Sequence, residues 1–233
     1  CVILKRPDAN RVQQAFDLYK KSGKANKPNG VKSIEFRATY SHASRDIKFV
    51  GVWDTVGAMG IPISFLGLFD DKDEFYDTKL GSNVEVARHA LAIGEMRSDF
   101  EPTVWVPRPG VNIKQTWFSG VHSDVGGGYK PDKNGLVAST SPLRWMSDEA
   151  SQFGLELEPF WISPAGADDI PKLNESRRSF YRPREKYLRP IDHGMGEVLI
   201  HESVKKRWDV DGSYRPKNLQ AYIDSNGWPT SFE

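Results

Sequence analysis

At 233 residues the chain is long enough to enclose one substantial hydrophobic core, and no linker, low-complexity tract or internal repeat divides it. Its 32 basic and 31 acidic residues leave a formal charge of +1, so no net field gathers nucleic acid and that class of partner is set aside. A single cysteine, Cys1, excludes an intrachain disulfide framework, and the longest mostly apolar stretch, Ile61 to Phe69, is too short to span a bilayer. The opening CVILKRP is too short for a signal peptide, so the compartment stays open between cytoplasm and export. One domain over residues 1–233 is the expected organisation.

After Pro7, Asp8 or Asn10 can cap a helix on which Val12, Ala15, Phe16 and Tyr19 recur at helical spacing. SGKANKPNG ends it, and a second helix is predicted over Ser33 to Tyr40. The near-continuous apolar run from Ile47 to Trp53 predicts a strand buried on both faces, hence a parallel sheet, and it delivers Asp54 at its end. Pro62 to Asp77 fits a short helix or a loop, and its IPISFLGLF segment suits an acyl pocket, a lipid surface or plain core packing. The next helix is predicted over Asn83 to Ile93, after which Pro102, Pro107 and Pro109 break regular structure.

A strand from Ile113 to Phe118 then runs into SGVHSDVGGGY, placing His122, Asp124 and three consecutive glycines at its end. In open α/β sheets functional groups gather beyond the carboxyl ends of strands. Pro142 opens a helix with Leu143, Met146, Ala150 and Phe153 on one side. Beyond Glu158 proline and charge accumulate, and RRSFYRPREKYLRP reads as an extended surface excursion rather than core. Its Arg177, Arg178, Arg182, Arg184 and Lys186 form a solvated loop or a contact for anionic lipid head groups. The short run Val198 to Ile200 leads to His201, and the residues after Trp208 are predicted to wrap the outside as coil. Strand and helix alternate in the manner of an α/β domain.

Carboxylate followed by histidine is the tail of the serine, acid, histidine order of α/β-hydrolases, in which histidine takes the nucleophile's proton and the acid holds the imidazolium. Asp124 and His201 are the leading pair, with Asp54, His122 and His193 as alternates. Each has a plainer role open to it. Asp124 can tie the glycine turn through backbone N–H groups, Asp54 can fasten its loop, and His201 can cap the helix it precedes. His122 with Asp124 would make metal ligands, which keeps a metal-dependent phosphoester hydrolase as an alternative. His193, beside Asp192, offers another base, whereas His89 and His42 read as structural or solvent-facing. No G-x-S-x-G occurs: Ser123 is flanked at those positions by Val121 and Val125, and Ser82 by Leu80 and Val84. The nucleophile is therefore expected before Cys1, the chain being a C-terminal fragment that is inactive by itself.

The set GVWDTVGAMG, ARHALAIGEMRSDFEPTVW, QTWFSGVHSDVGGGY, LRWMSDEA and IHESVKKRW, in this order, resembles the catalytic domain of the type VI secretion phospholipase effectors, from about Leu4 to Leu219. The resemblance implies the C-terminal part of an α/β-hydrolase-like domain, mainly parallel sheet with flanking helices and a long irregular C-terminal excursion. It also implies a bacterial effector with a serine in a GFSRGA-type elbow, Asp124 matching the acid of HSDVGGGY and His201 the histidine of the IHESV-like motif. Phospholipid or another ester is the implied substrate, with no cofactor. A peripheral membrane surface, a secretion apparatus and an immunity protein are the implied partners. The chain departs from the family pattern at Gly94 and Met96, where a DERR-like run is expected. A non-catalytic binding module of the same fold, its strand-end acids only stabilising loops, is the competing expectation.

Overall fold

The first two predicted helices form in the computed structural model as α1 (Ala9–Lys20) and α2 (Val31–Tyr40). They lie in the first of two units into which the chain divides, Cys1–Ile47 and Lys48–Glu233. The structure describes residues 9–21, 23–27, 29–42, 46–56, 80, 81, 83–158, 170–178, 181–191, 197–229 and 231–233. The IPISFLGLF segment, Ser82, His193 and Asp192 fall outside them. Within the first unit the Arg11 guanidinium lies 4.0 Å over the Tyr40 ring, and Ser33 Oγ donates to the Asn26 carbonyl, fixing the turn before α2. Val12, Phe16 and Tyr19 form the expected stripe on α1 and stay about half exposed.

The second unit is built on a four-stranded sheet ordered β1-β2-β3-β4, with β1 at Ile47–Trp53, β2 at Val84–Ala92, β3 at Asn112–Phe118 and β4 at Leu199–Ile200. β2 and β3 run parallel, Val86 beside Asn112 and Ala92 beside Phe118, and β3 and β4 run parallel with Trp117 beside Ile200. β1 runs in the same sense as β2. Lys48 pairs with Glu85 near the start of both, and Asp54 N–H donates to the Ala90 carbonyl just past the end of β1. All four strands thus deliver their following residues to one edge.

β2 corrects the helix predicted over Asn83 to Ile93. VEVARHALA is rich in helix formers, but the segment sits between two strands with both faces covered, and burial there outweighs intrinsic propensity. Side chains alternate across the sheet. Ala90, Ala92 and Phe118 pack on one side with Trp145 and Met146 of the helix Thr140–Gln152, while Leu91, Ile93, Trp117 and Ile200 pack on the other. The second layer is completed by Val204 from the helix Glu202–Val210 and Leu219 from the helix Lys217–Asn226. With a one-turn helix at His122–Gly126, these are numbered in chain order α3 (His122–Gly126), α4, α5 and α6. The α/β expectation holds: a parallel sheet flanked by helices.

Two expectations for the C-terminal third are corrected. The residues after Trp208 are not coil, since α6 places Leu219, Tyr222 and Ile223 at i, i+3 and i+4, facing the core. The charged excursion has neither α-helix nor strand in its described residues 170–178 and 181–191, yet it is not all surface. Arg189 and Ile191 within it are fully buried.

Candidate active site

Parallel strands that end together bring Asp54, Glu95, His122 and His201 to the carboxyl edge of the sheet, after β1, β2, β3 and β4 respectively. Asp54 is wholly buried and has φ 45°, the only non-glycine residue at positive φ among those described. That left-handed conformation costs backbone energy, and from it the carboxylate reaches across to the end of β2. Oδ1 accepts from Ala92 N–H at 2.8 Å, and the next residue is held because Thr55 N–H donates to His89 Nε2 at 3.1 Å. The guanidinium of buried Arg189 forks onto the carboxylate, Nη1 to Oδ1 at 2.6 Å and Nη2 to Oδ2 at 3.0 Å. Oδ2 also lies 2.7 Å from His122 Nδ1. Burial alone would raise the Asp54 carboxyl, but the His122 hydrogen bond and the Arg189 charge bring it down to about 2, so it is ionised at neutral pH.

His122 opens α3, and its ring is held on several sides. Its backbone N–H donates to Glu95 Oε2 at 3.2 Å, and buried Glu95 is gripped by Arg97 through two bonds of 2.9 Å and by Ser176 Oγ at 2.9 Å. Phe100 meets the imidazole edge-on at 5.1 Å, with the Arg97 guanidinium stacked 3.5 Å over the other ring. The departure at Gly94 and Met96 therefore leaves the Glu95–Arg97 ion pair intact. Gly94 also lets two loops touch: its N–H donates to the Gly120 carbonyl at 2.7 Å, and a Cβ there would stand 2.9 Å from that oxygen. An ionised carboxylate at Nδ1 fixes the tautomer with the proton on Nδ1 and a lone pair on Nε2. Among the described residues Nε2 has no hydrogen-bond partner, and the side chain keeps 28% exposure.

Asp124 and His201, the leading pair from sequence, share no hydrogen bond. Asp124 Oδ2 accepts from Val121 N–H at 3.0 Å and Asn174 N–H at 3.1 Å, and Oδ1 from Asn174 Nδ2 at 2.7 Å. Oδ2 fastens backbone and Oδ1 holds the Asn174 side-chain amide, which is close to the plainer role weighed for this residue. His201 caps α5: Nδ1 accepts from Ser203 N–H at 3.2 Å and lies 2.8 Å from Ser203 Oγ, and the ring stacks on Phe118 at 4.6 Å. Burial drives its pKa down to about 4, so it stays neutral with Nδ1 already used. His122 and Asp124 do not converge as metal ligands either, since one turns to Asp54 and the other to Asn174. Among the described residues no group of three or more His, Cys, Asp or Glu is placed to hold a metal. His89 is buried on β2 rather than solvent-facing.

Sequence reasoning named Asp54, His122, Asp124 and His201 but not Arg189, Glu95, Arg97, Ser176 or Asn174, and it paired the acids and histidines differently. The signal for the observed pairing was present, because Asp54 before His122 is also acid before histidine, each at the end of a strand.

A parallel sheet with an ionised carboxylate and a histidine meeting at its carboxyl edge is the arrangement of an α/β catalytic domain. Residues 1–149 match the family described as T6SS, phospholipase effector Tle1-like, catalytic domain, and the chain belongs to that family. Asp54, Glu95, His122 and Asp124 fall inside the matched segment, and Arg189 and His201 outside it. The chain is also 46% identical over 49 residues to "Uncharacterized protein YEL023C" of Saccharomyces cerevisiae, a stretch that makes up 21% of this chain and 7% of the yeast protein. No solved structure gives a significant match. Among the described residues no helix is long and apolar enough to cross a membrane.

Proposed function

We propose that the chain forms part of a serine-dependent lipid ester hydrolase in which Asp54 and His122, rather than Asp124 and His201, complete the triad. The observation that carries this reading is the 2.7 Å contact between His122 Nδ1 and the buried Asp54 carboxylate, with no partner for Nε2 among the described residues. The serine, acid, histidine order is kept, because Asp54 precedes His122. The nucleophile is a serine on an elbow preceding residue 1 in the whole protein, since none of the 233 residues forms G-x-S-x-G. His122 Nε2 takes the hydroxyl proton as the serine oxygen attacks the ester carbonyl, and Asp54 stabilises the imidazolium. His122 then gives that proton to the departing alcohol, and water repeats the sequence to release the acid.

An α/β-hydrolase-like fold fits the parallel sheet, and the family match runs across both units, which supports one catalytic domain over residues 1–233. Phospholipid substrates, a membrane surface to meet them on, export by a type VI apparatus and an immunity partner are the family's contribution to the reading. Asp124 and His201 hold the loops around the site, and residues 1–233 alone are expected to show no turnover.

In the whole protein His122→Gln is expected to lower kcat on a fluorogenic phospholipid by about four orders of magnitude, as loss of a triad member does, with its thermal midpoint retained. His201→Asn keeps a capping acceptor and is expected to stay active. Active His122→Gln with dead His201→Asn would restore the Asp124–His201 pair.

A further inference from the structure

Arg189 is a fully buried guanidinium in an irregular segment, 135 positions beyond the acid it grips. It has hydrogen bonds to both Asp54 oxygens, to the Ala92 carbonyl at 2.7 Å and to the Phe100 carbonyl at 2.5 Å. It thereby links the acid to the end of β2 and to the turn whose ring supports His122. Its own backbone is tied down in turn: Asn218 Nδ2, in the first turn of α6, donates to the Arg189 carbonyl and to the Ile93 carbonyl, both at 3.0 Å. None of these anchoring residues on α6 or the irregular segment lies in the family-matched stretch 1–149.

We infer that Arg189 is a positioning residue for catalysis, a fork that fixes the rotation of the Asp54 carboxylate so that Oδ2 faces His122 Nδ1. The inference rests on the Asp54–His122 reading. The Ala92 N–H at the end of β2 holds Oδ1 alone, whereas two parallel N–H bonds from a planar guanidinium hold both oxygens and so fix the plane of the carboxylate. The same fork divides the carboxylate's charge between Arg189 and His122. Among the described residues the other titratable groups in reach are His89 on β2, near enough to interact with Asp54, and Glu95 with Arg97, which support the His122 backbone.

Removing the fork leaves Asp54 to His122 and the Ala92 N–H. In the whole protein Arg189→Gln is expected to lower kcat on p-nitrophenyl butyrate by about a hundredfold with KM little changed, the cost of a misaimed group. The acid limb of its kcat/KM profile is expected to move up by about one pH unit, because an unshared carboxylate holds the imidazolium more strongly. Asp54→Asn moves that limb down. A residue that merely held the fold would reduce the active fraction and leave the limb in place. Arg189→Lys keeps charge without the fork, so it is expected to fold and to lose about tenfold in kcat, one tightly aimed bond fewer. Wild-type kcat in Arg189→Lys, an unmoved limb in Arg189→Gln, or failure of both variants to fold would each overturn the inference. His122→Gln separates it from the underlying reading. Turnover surviving that change sinks the dyad itself, whereas a dead His122→Gln beside a normal Arg189→Gln sinks only the role of Arg189.

Discussion

A methyl group on Gly120 has no space to occupy. The residue sits at φ 103°, and a Cβ there would stand 2.5 Å from the Asp124 Cβ and 2.7 Å from its Oδ2. Gly120→Ala combines left-handed strain with a clash against a carboxylate that is itself pinned by Val121 and Asn174, so a loss of about 2–4 kcal/mol is expected. Gly51→Ala meets the Met146 sulfur at 2.5 Å and a Phe49 ring carbon at 3.0 Å, side-chain atoms at an ordinary backbone φ, and about 1–2 kcal/mol is expected. Urea unfolding of the two variants side by side checks the ranking, and an equal cost would contradict it. The same crowding explains how much of the site was legible. That Asp54, His122 and Asp124 stand at strand ends could be read from apolar runs that stop at them. Which acid faces which imidazole could not, because it turns on the left-handed backbone at Asp54 and on Arg189 and Asn174, which sequence places 135 and 50 residues from the acids they hold.

Between elements, a buried charge network joins the sheet to α4. Arg88 on β2 donates from Nε to Glu149 Oε2 at 2.5 Å and from Nη1 to the Asn112 carbonyl, and Lys114 on β3 bridges Glu149 and Glu233 at 2.9 Å each. Burial alone would raise the Glu149 carboxyl, and Lys114 and Arg88 bring it below its ordinary range. Glu149→Ala strands a guanidinium that is almost completely enclosed, so a loss of about 3–5 kcal/mol is expected. Lys114 keeps a third of its side-chain surface in water, and Lys114→Met is expected to cost less than about 1 kcal/mol. Replacing both buried partners, Arg88→Met with Glu149→Leu, is expected to recover most of the larger loss, and a double-mutant cycle in denaturant measures it. If the double variant is no more stable than Glu149→Ala, the cost lies in packing rather than in the orphaned charge. This network is also why β2 was misread. A central strand carrying arginine and histidine looks amphipathic, and it takes Glu149, 61 positions away, Asn112 and Thr55 to satisfy those groups. α6 was missed for a different reason, since its Leu219, Tyr222 and Ile223 spacing was there to be read.

At the scale of the whole chain, a formal charge of +1 leaves little self-repulsion near neutrality, so the response to acid is decided by groups whose protonation differs between folded and unfolded states. His89 and His201 are the first to matter, because burial lowers both from 6.5 to about 4. Above pH 6.5 they are neutral in both states and their contribution is complete. As pH falls from 6.5 towards 4 the unfolded chain takes up protons that the folded chain refuses. Stability therefore declines through that window, by up to about 1.4 kcal/mol per pH unit for each histidine. Carboxylates follow in a second stage. Asp54, held at about 2, contributes fully above its unfolded value of 3.8 and loses that contribution as pH drops through 3.8 to 2, and the lowered Glu95 and Glu149 act in the same sense. Urea midpoints measured from pH 7 to 3 are expected to fall first with a slope approaching two protons between about pH 6 and 5, above the unfolded carboxylate values of 3.8 and 4.5. His201→Asn retains an acceptor for Ser203 N–H and removes one titrating group, so it should halve that slope without collapsing the midpoint at pH 7. A midpoint that stays flat between pH 6.5 and 4.5 would mean that both imidazoles already titrate in the folded protein, and with it the cap at His201 would have to open to water.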